Sequence, residues 1–129
     1  MRWRAYFVPI TLLLIPALLL AACGGEDPTS APATSGEGLY AEKSCVSCHT
    51  VDGSASVGPT WKGLYLSEVK LADGSTVTAD DAYLRESILK PSAKTVEGYT
   101  PGLMETVIKP DSLSESEVDA LVEYIKSLK

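Results

Sequence analysis

Basic residues, histidine and large aromatic side chains are all scarce in this sequence of 129 residues. It has 11 Lys and Arg against 17 Asp and Glu, and it therefore lacks the basic surface that nucleic-acid binding needs. It has one histidine, His49, and after residue 35 it has no phenylalanine and a single tryptophan, Trp61. A small domain with so few large apolar side chains needs another source of stability, such as a large apolar group bound at its centre.

The first 23 residues, MRWRAYFVPITLLLIPALLLAAC, carry an export signal. Arg2 and Arg4 precede an uncharged, largely apolar run of 17 residues over 6–22, which is the pattern of a secretory signal peptide. The run is marginal for a membrane-spanning helix, which needs about 20 residues. It ends in LAAC, which resembles a bacterial lipobox. The pattern predicts a lipoprotein signal peptide over 1–22 and a lipidated Cys23. A soluble secreted form and an uncleaved membrane anchor are the alternatives.

A linker follows the predicted lipidation site. Residues 23–35 contain Cys23 and then GGEDPTSAPATS, which is rich in Gly, Pro, Ser, Thr and Ala and has no large apolar side chain, as in flexible linkers. We therefore expect one folded domain over 36–129, held close to a bilayer. Without residues 1–22 the chain keeps nine basic and 17 acidic residues, a net charge of −8.

The 36–129 segment is predicted to be mostly helical. A short helix is expected over 36–44, a second in TADDAYLRESILKP, capped by Thr78 or Asp80, and a third in SLSESEVDALVEYIKSLK. The third has an S-x-x-E capping box and apolar residues at helical spacing. Between the first two, LSEVKLADGSTVT alternates apolar and polar residues around Asp73-Gly74, which predicts a β-hairpin near 68–78 with a two-residue turn. The expected fold class is all-α with this small insertion.

The stretch KSCVSCHTVDG contains Cys45, Cys48 and His49. Cys-x-x-Cys-His is the attachment signature of c-type haem, since two thiols on one tight turn can bond the porphyrin and the next residue then ligates the iron. A zinc site would need two further Cys or His ligands, a thioredoxin-like dithiol would need a βαβ setting, and a local disulfide would not require His49. We therefore predict one covalently bound haem c.

Met104 is the only methionine after the first residue. A lone methionine is usually a filler of the core. This one lies in VEGYTPGLMETVIKP, a Gly- and Pro-rich loop, where a thioether suits the sixth coordination position of a haem iron. Ligation by His and Met raises the reduction potential, which suits an electron carrier.

Residues 36–129 resemble class I c-type cytochromes. The resemblance runs in order through CVSCH, VGPTWKGLY, AYLRESILKPSAKTVEGY, TPGLM and LVEYIKSLK. It is strongest toward the cytochrome c domain of haem-copper oxidase subunit II and the monohaem c subunit of alternative complex III. It implies the class I cytochrome c fold, in which short helices surround one haem.

The resemblance also implies roles for particular residues. Cys45 and Cys48 carry the haem thioethers, and His49 and Met104 are the axial ligands of the iron. The carbonyl of Pro59 accepts the hydrogen bond from the His49 ring nitrogen that faces away from the iron.

Other residues are implied to pack the domain. Trp61, Leu64 and Tyr65 are expected against the haem, and Gly36 and Tyr40 are expected where the first helix crosses the last. The ligand methionine of the family is often followed by proline, whereas Glu105 follows here. No copper-binding domain precedes the cytochrome segment, so the redox partner is expected on another chain.

The predicted function is a membrane-tethered monohaem cytochrome c that transfers single electrons in a respiratory or photosynthetic chain. It would be exported and lipid-anchored on the outer face of the cytoplasmic membrane, as a subunit of or carrier for a quinol-oxidising complex or terminal oxidase. The alternatives are a haem peroxidase and a haem-based redox or gas sensor. A peroxidase would need a distal acid–base group, and no second histidine is present. The net charge of −8 predicts a basic docking surface on the partner.

Overall fold

The computed structural model describes residues 35–109 and 111–129. They contain the helices α1 (Gly36–Glu42), α2 (Asp81–Leu89) and α3 (Glu115–Ser127) and the antiparallel strands β1 (Glu68–Lys70) and β2 (Thr76–Thr78). Two short 3-10 turns cover Cys45–Ser47 and Met104–Thr106. The mostly helical prediction with a small hairpin is confirmed. The predicted signal peptide, the linker up to residue 34 and Cys23 lie outside the described residues.

The helices α1 and α3 cross closely at Gly36. An ideal Cβ on Gly36 would lie 2.1 Å from the Ala120 carbonyl oxygen and 2.5 Å from Cβ of Tyr124. Only a residue without a side chain allows this approach. One turn further on, Leu39 and Tyr40 are buried, and the Tyr40 ring lies 5.9 Å from the Tyr124 ring. The crossing predicted for the first and last helices is therefore present.

The predicted capping box of α3 is present. The Ser114 hydroxyl accepts a hydrogen bond from the Glu117 N–H at 3.3 Å, and the Glu117 carboxylate accepts one from the Ser114 N–H at 2.7 Å. Both bonds satisfy donors that the first turn of a helix leaves free. Of the five residues predicted from the helical spacing, Val118, Leu121, Val122 and Ile125 are buried, whereas Leu128, just past the end of the helix, is half-buried.

The β-hairpin forms where it was predicted, but its turn differs. Gly74 N–H donates to the Leu71 carbonyl at 2.9 Å and Leu71 N–H to the Ser75 carbonyl at 2.8 Å, so the loop has three residues rather than two. Gly74 has φ of +87°, as expected for a three-residue loop that ends in a left-handed residue. The Asp73 carboxylate accepts from the Ser75 N–H at 2.9 Å, which favours this longer loop over the predicted Asp-Gly turn.

Backbone hydrogen bonds beyond the hairpin join the end of β1 to the segment 95–97. Leu71 forms a bridge with Val96. Ala72 N–H donates to Thr95 and Glu97 N–H to Lys70, at 2.8 and 2.9 Å. The segment after α2 is thereby fixed beside the hairpin.

Asp80, one of the two residues predicted to cap the second helix, is the N-cap of α2. Its carboxylate accepts from the Tyr83 N–H at 2.8 Å. Arg85 on the outer face of α2 pairs with Glu115 and Asp119 of α3. Because these groups are exposed, the pairs fix orientation more than they stabilise the domain.

Candidate haem-binding site

The predicted site residues surround one largely apolar cavity of about 470 Å³. This volume lies within the range of about 300–1,000 Å³ typical of cofactor pockets. The cavity lies between the Cys45–His49 turn, β1, α2 and the turn at Met104. Of the predicted residues, it is lined by Cys45, Cys48, His49, Pro59, Trp61, Leu64 and Met104.

A tight backbone turn brings the two cysteines and the histidine together. Cys48 N–H and His49 N–H both donate to the Cys45 carbonyl, at 3.1 and 2.9 Å. Ser44, just before the turn, has φ of +62° and reverses the chain at the end of α1. Both thiols are free and partly buried, and burial raises the pKa of Cys45. The turn presents both thiols and the imidazole to the cavity.

A hydrogen bond on one ring nitrogen holds the His49 imidazole in place. Nδ1 lies 2.8 Å from the Pro59 carbonyl oxygen, which requires the Nδ1-protonated tautomer. Nε2 is thereby left as the nitrogen available to a metal. Burial lowers the pKa of His49, while the hydrogen bond to Pro59 acts in the opposite direction. The neutral imidazole that metal ligation needs is therefore favoured at neutral pH.

Met104 lies on a 3-10 turn, whereas a loop was predicted. Val107 N–H and Ile108 N–H both donate to the Met104 carbonyl, at 3.0 and 2.9 Å, and Ile108 is buried in the core. Gly102, with φ of +73°, reverses the chain just before the turn. This geometry fixes the backbone that carries the thioether. Glu105 follows Met104 in the turn, at the position that proline often occupies in the family.

Tyr65 does not lie where it was expected. Trp61 and Leu64 line the cavity, but Tyr65 is not among the lining residues. Its ring lies beneath the Lys126 ammonium at 5.2 Å, and its hydroxyl donates to Asp81 at 3.4 Å. Because Lys126 belongs to α3, Tyr65 packs beside α3 and not against the cavity.

The sequence analysis gave no site role to many residues that line the cavity, among them Gly58, Tyr83 and Ser87. Ser87 is the one described residue whose buried side-chain oxygen has no hydrogen-bond partner. Tyr83 and Ser87 share one face of α2 because they are four positions apart. That four-residue spacing, within a segment that was predicted to be helical, was the available signal.

These residues fit a haem. Two thiols and a neutral imidazole on one turn, a thioether elsewhere in the cavity lining, and a mainly apolar lining match the donor set of His/Met-ligated haem. The unpartnered Ser87 oxygen adds a polar group to a cavity that the protein's own side chains leave unfilled. Among the described residues no group of three or more Cys, His or acidic side chains could hold a metal ion directly.

Comparison with known proteins identifies the family. The family model described as Cytochrome c matches residues 33–129. Cytochrome c-551 of Stutzerimonas stutzeri is 32% identical over 117 residues, which cover 91% of this chain and 97% of that protein. The chain therefore belongs to the cytochrome c family. It is a class I monohaem c-type cytochrome, and it binds one haem c.

Two other relatives are much longer than this chain, and one similar solved structure is not. Cytochrome c oxidase subunit 2 of Alkalihalophilus pseudofirmus is 30% identical over 105 residues, which are 81% of this chain and 28% of that protein. Alkane uptake protein B of Marinobacter nauticus is 33% identical over 96 residues, which are 74% of this chain and 8% of that protein. The solved structure of cytochrome cH from Methylobacterium extorquens, with 25% identity and a TM-score of 0.49, covers 74% of this chain and 98% of its own.

Proposed function

We propose that this protein is a membrane-tethered cytochrome c that relays single electrons to or from a membrane redox complex. In this proposal Cys45 and Cys48 carry the haem thioethers, and His49 and Met104 are the axial ligands. The observation that carries it is that all four side chains line one cavity while His49 Nδ1 is already bonded to Pro59.

Each residue of the site has a distinct task in this proposal. Bound haem supplies one-electron chemistry at its iron. Pro59 keeps the proton on Nδ1 and increases the basicity of the imidazole. Met104 would supply a thioether to the iron, which would favour the ferrous state and leave little access for small molecules. The surrounding apolar side chains limit water access, which further tunes the potential.

The rim of the cavity suits a transient, largely apolar contact. Four of the five large hydrophobic residues exposed in the described part of the chain lie there. Val57, Leu103 and Val107 line the cavity, and Val46 lies between its two cysteines. Exposed apolar clusters often mark protein interaction sites. We propose that electrons pass to the partner through this rim.

The proposed partner is a quinol-oxidising complex, such as alternative complex III, or a haem-copper oxidase. Support comes from the relative named cytochrome c oxidase subunit 2, whose similarity spans most of this chain. The proposed location is the outer face of the cytoplasmic membrane, with Cys23 lipidated after removal of residues 1–22. The LAAC motif supports this tether. No helix within residues 35–109 or 111–129 has the length and apolar character to cross a membrane.

Met104→Ala tests the proposed coordination. The haem should remain covalently attached, the methionine–iron charge-transfer band should disappear, and the reduction potential should fall because the thioether no longer favours ferrous iron. The wild-type protein should be low-spin and should bind carbon monoxide poorly. An unchanged potential and band in the variant would exclude Met104 as a ligand. Peroxide turnover by wild-type protein with a high-spin haem would favour the peroxidase alternative.

Cys23→Ser tests the tether, and co-purification tests the partner. The variant should release haem protein from the membrane or stop at the unprocessed precursor. Unchanged membrane attachment and N-terminal processing would exclude lipidation. Wild-type protein purified from solubilised membranes should either carry the subunits of a redox complex or exchange electrons with one in stopped-flow assays. A protein that does neither would refute the proposed relay.

A further inference from the structure

We infer that Gly58 and Trp61 are positioning residues that together fix the plane of the His49 imidazole and so set its strength as a ligand. The inference rests on the proposed function, since it assumes that His49 ligates the haem iron. It assigns Trp61 a role beyond packing against the haem. It also assigns a role at the site to Gly58, which the proposed function does not use.

The segment 58–61 is fastened along the segment that contains His49. Gly58 N–H donates to the Cys48 carbonyl and Trp61 N–H to the Thr50 carbonyl, both at 2.8 Å. These two bonds enclose the residue between them, His49. The Pro59 carbonyl therefore reaches Nδ1 from a backbone that has little freedom to shift.

Gly58 leaves the space that the imidazole ring occupies. An ideal Cβ on Gly58 would lie 2.7 Å from His49 Cε1, 2.9 Å from Nδ1 and 3.1 Å from the Cys48 carbonyl oxygen. Distances this short force a movement, and the backbone hydrogen bonds made by Gly58 and Trp61 oppose movement of the segment. The ring is the part that can turn. The Gly58 backbone is not in the left-handed region, so alanine is excluded here by the imidazole and not by its own conformation.

Trp61 limits rotation of the ring from its face. The indole and imidazole centroids are 5.3 Å apart with an interplanar angle of 30°, within the range of stacked aromatic pairs. Trp61 is itself only 5% exposed. The rings of Tyr40 and Tyr124 support it at 5.0 and 6.4 Å. The imidazole thus has an indole on its face and the Gly58 backbone against its edge.

Turning the ring would weaken the bond from Nδ1 to Pro59. That bond increases the basicity of the imidazole, and a more basic ligand stabilises ferric iron. A side chain at Gly58, or loss of the indole at Trp61, should therefore raise the reduction potential. The direction is opposite to that expected for loss of Met104, which separates the two effects.

The experiment uses haem-loaded full-length protein. Gly58→Ala and Trp61→Leu should each shift the ferric–ferrous equilibrium constant about tenfold toward ferrous, or about 59 mV for a one-electron couple. The electron paramagnetic resonance g-values of the ferric state should change as well. Trp61→Phe, which keeps a ring on the imidazole, should recover most of both properties.

Two controls separate positioning from general damage. Ser114→Ala removes the capping box of α3, whose hydrogen bonds involve neither His49, Gly58 nor Trp61, and should lower the melting temperature without moving the potential. Leu64→Ala removes bulk from the same cavity lining, and it should change the g-values less than Trp61→Leu does, because the indole is the ring stacked on the imidazole. A shift in Leu64→Ala equal to that in Trp61→Leu would reduce Trp61 to packing and overturn the inference.

The remaining outcomes are also decisive. Wild-type potential and g-values in both Gly58→Ala and Trp61→Leu would overturn the inference while leaving the proposed ligands intact. If Gly58→Ala does not mature with haem, the comparison of Trp61→Leu with Trp61→Phe decides. A wild-type spectrum without histidine ligation would instead refute the proposed function.

Discussion

Gly36→Ala adds only one methyl group, but it should destabilise the domain strongly. The new Cβ would meet the Ala120 carbonyl oxygen at 2.1 Å and Cβ of Tyr124 at 2.5 Å. Overpacking a well-filled interface costs about 1–3 kcal/mol. We expect the upper part of this range because the obstacle is helix backbone and not a flexible side chain. Alanine in a helix returns about 0.5–1 kcal/mol relative to glycine, so the net loss is about 2 kcal/mol.

Thermal unfolding of the haem-loaded protein, followed by far-ultraviolet circular dichroism, measures this loss. For a domain of this size a loss of about 2 kcal/mol lowers the melting temperature by roughly 8–16 °C. Gly38→Ala is the matched control, since Gly38 belongs to the same helix but is exposed, and it should leave the domain equally or more stable. If Gly36→Ala melts at or above the wild-type temperature, the close crossing of α1 and α3 is not what requires glycine there.

The other predictions concern pH, backbone strain and salt. Hydrogen bonds from Lys43 and Ser114 lower the pKa of Glu117 to about 2. The stability that Glu117 contributes should therefore be complete above its ordinary pKa of 4.5 and lost as the pH falls toward 2. The melting-temperature gap between wild type and Glu117→Gln should close over that range, and a constant gap would contradict the shift. Leu66 has φ of +63° and is 62% exposed, so Leu66→Gly should stabilise the domain by about 1 kcal/mol in chemical denaturation, whereas a loss would mean that its side chain packs. Stopped-flow oxidation by membranes of the native host should depend only weakly on salt if the rim at Leu103 makes the contact. A steep fall with salt would point to charged docking instead.

Local sequence signals predicted the elements that depend on local interactions. The capping box at Ser114 and the buried face of α3 need only the helix itself, and the Cys45–His49 turn needs only its own backbone. The order of the motifs also identified Met104 and Pro59 as cavity residues. These features recur wherever the same short sequence is found, so a single sequence is enough to read them.

Features that depend on distant partners were missed. Tyr65 follows Trp61 and Leu64 so closely that a shared wall was expected, but its ring packs beneath the ammonium of Lys126, 61 positions later in the chain. The three-residue hairpin loop was missed for another reason, because the bond from Ser75 N–H to Asp73 that favours it is local, but Asp73-Gly74 also fits a two-residue turn. The importance of Gly58 depends on an imidazole nine positions earlier, and a glycine carries no pattern that reveals its neighbour.

The net charge of −8 was expected to define the docking surface, but charge is not spread evenly over the domain. Acidic residues recur along the exposed side of α3 at Glu115, Asp119 and Glu123, and none of them lines the cavity. The charged residues that do line it are three lysines and two glutamates, Lys62, Lys70, Lys94, Glu68 and Glu97. Because screening limits the reach of a charge to about 8 Å at physiological salt, a partner that meets the rim encounters this nearly balanced set and the apolar side chains beside it. The acidity of the whole chain then has more effect on solubility and on long-range approach than on the contact through which the electron passes.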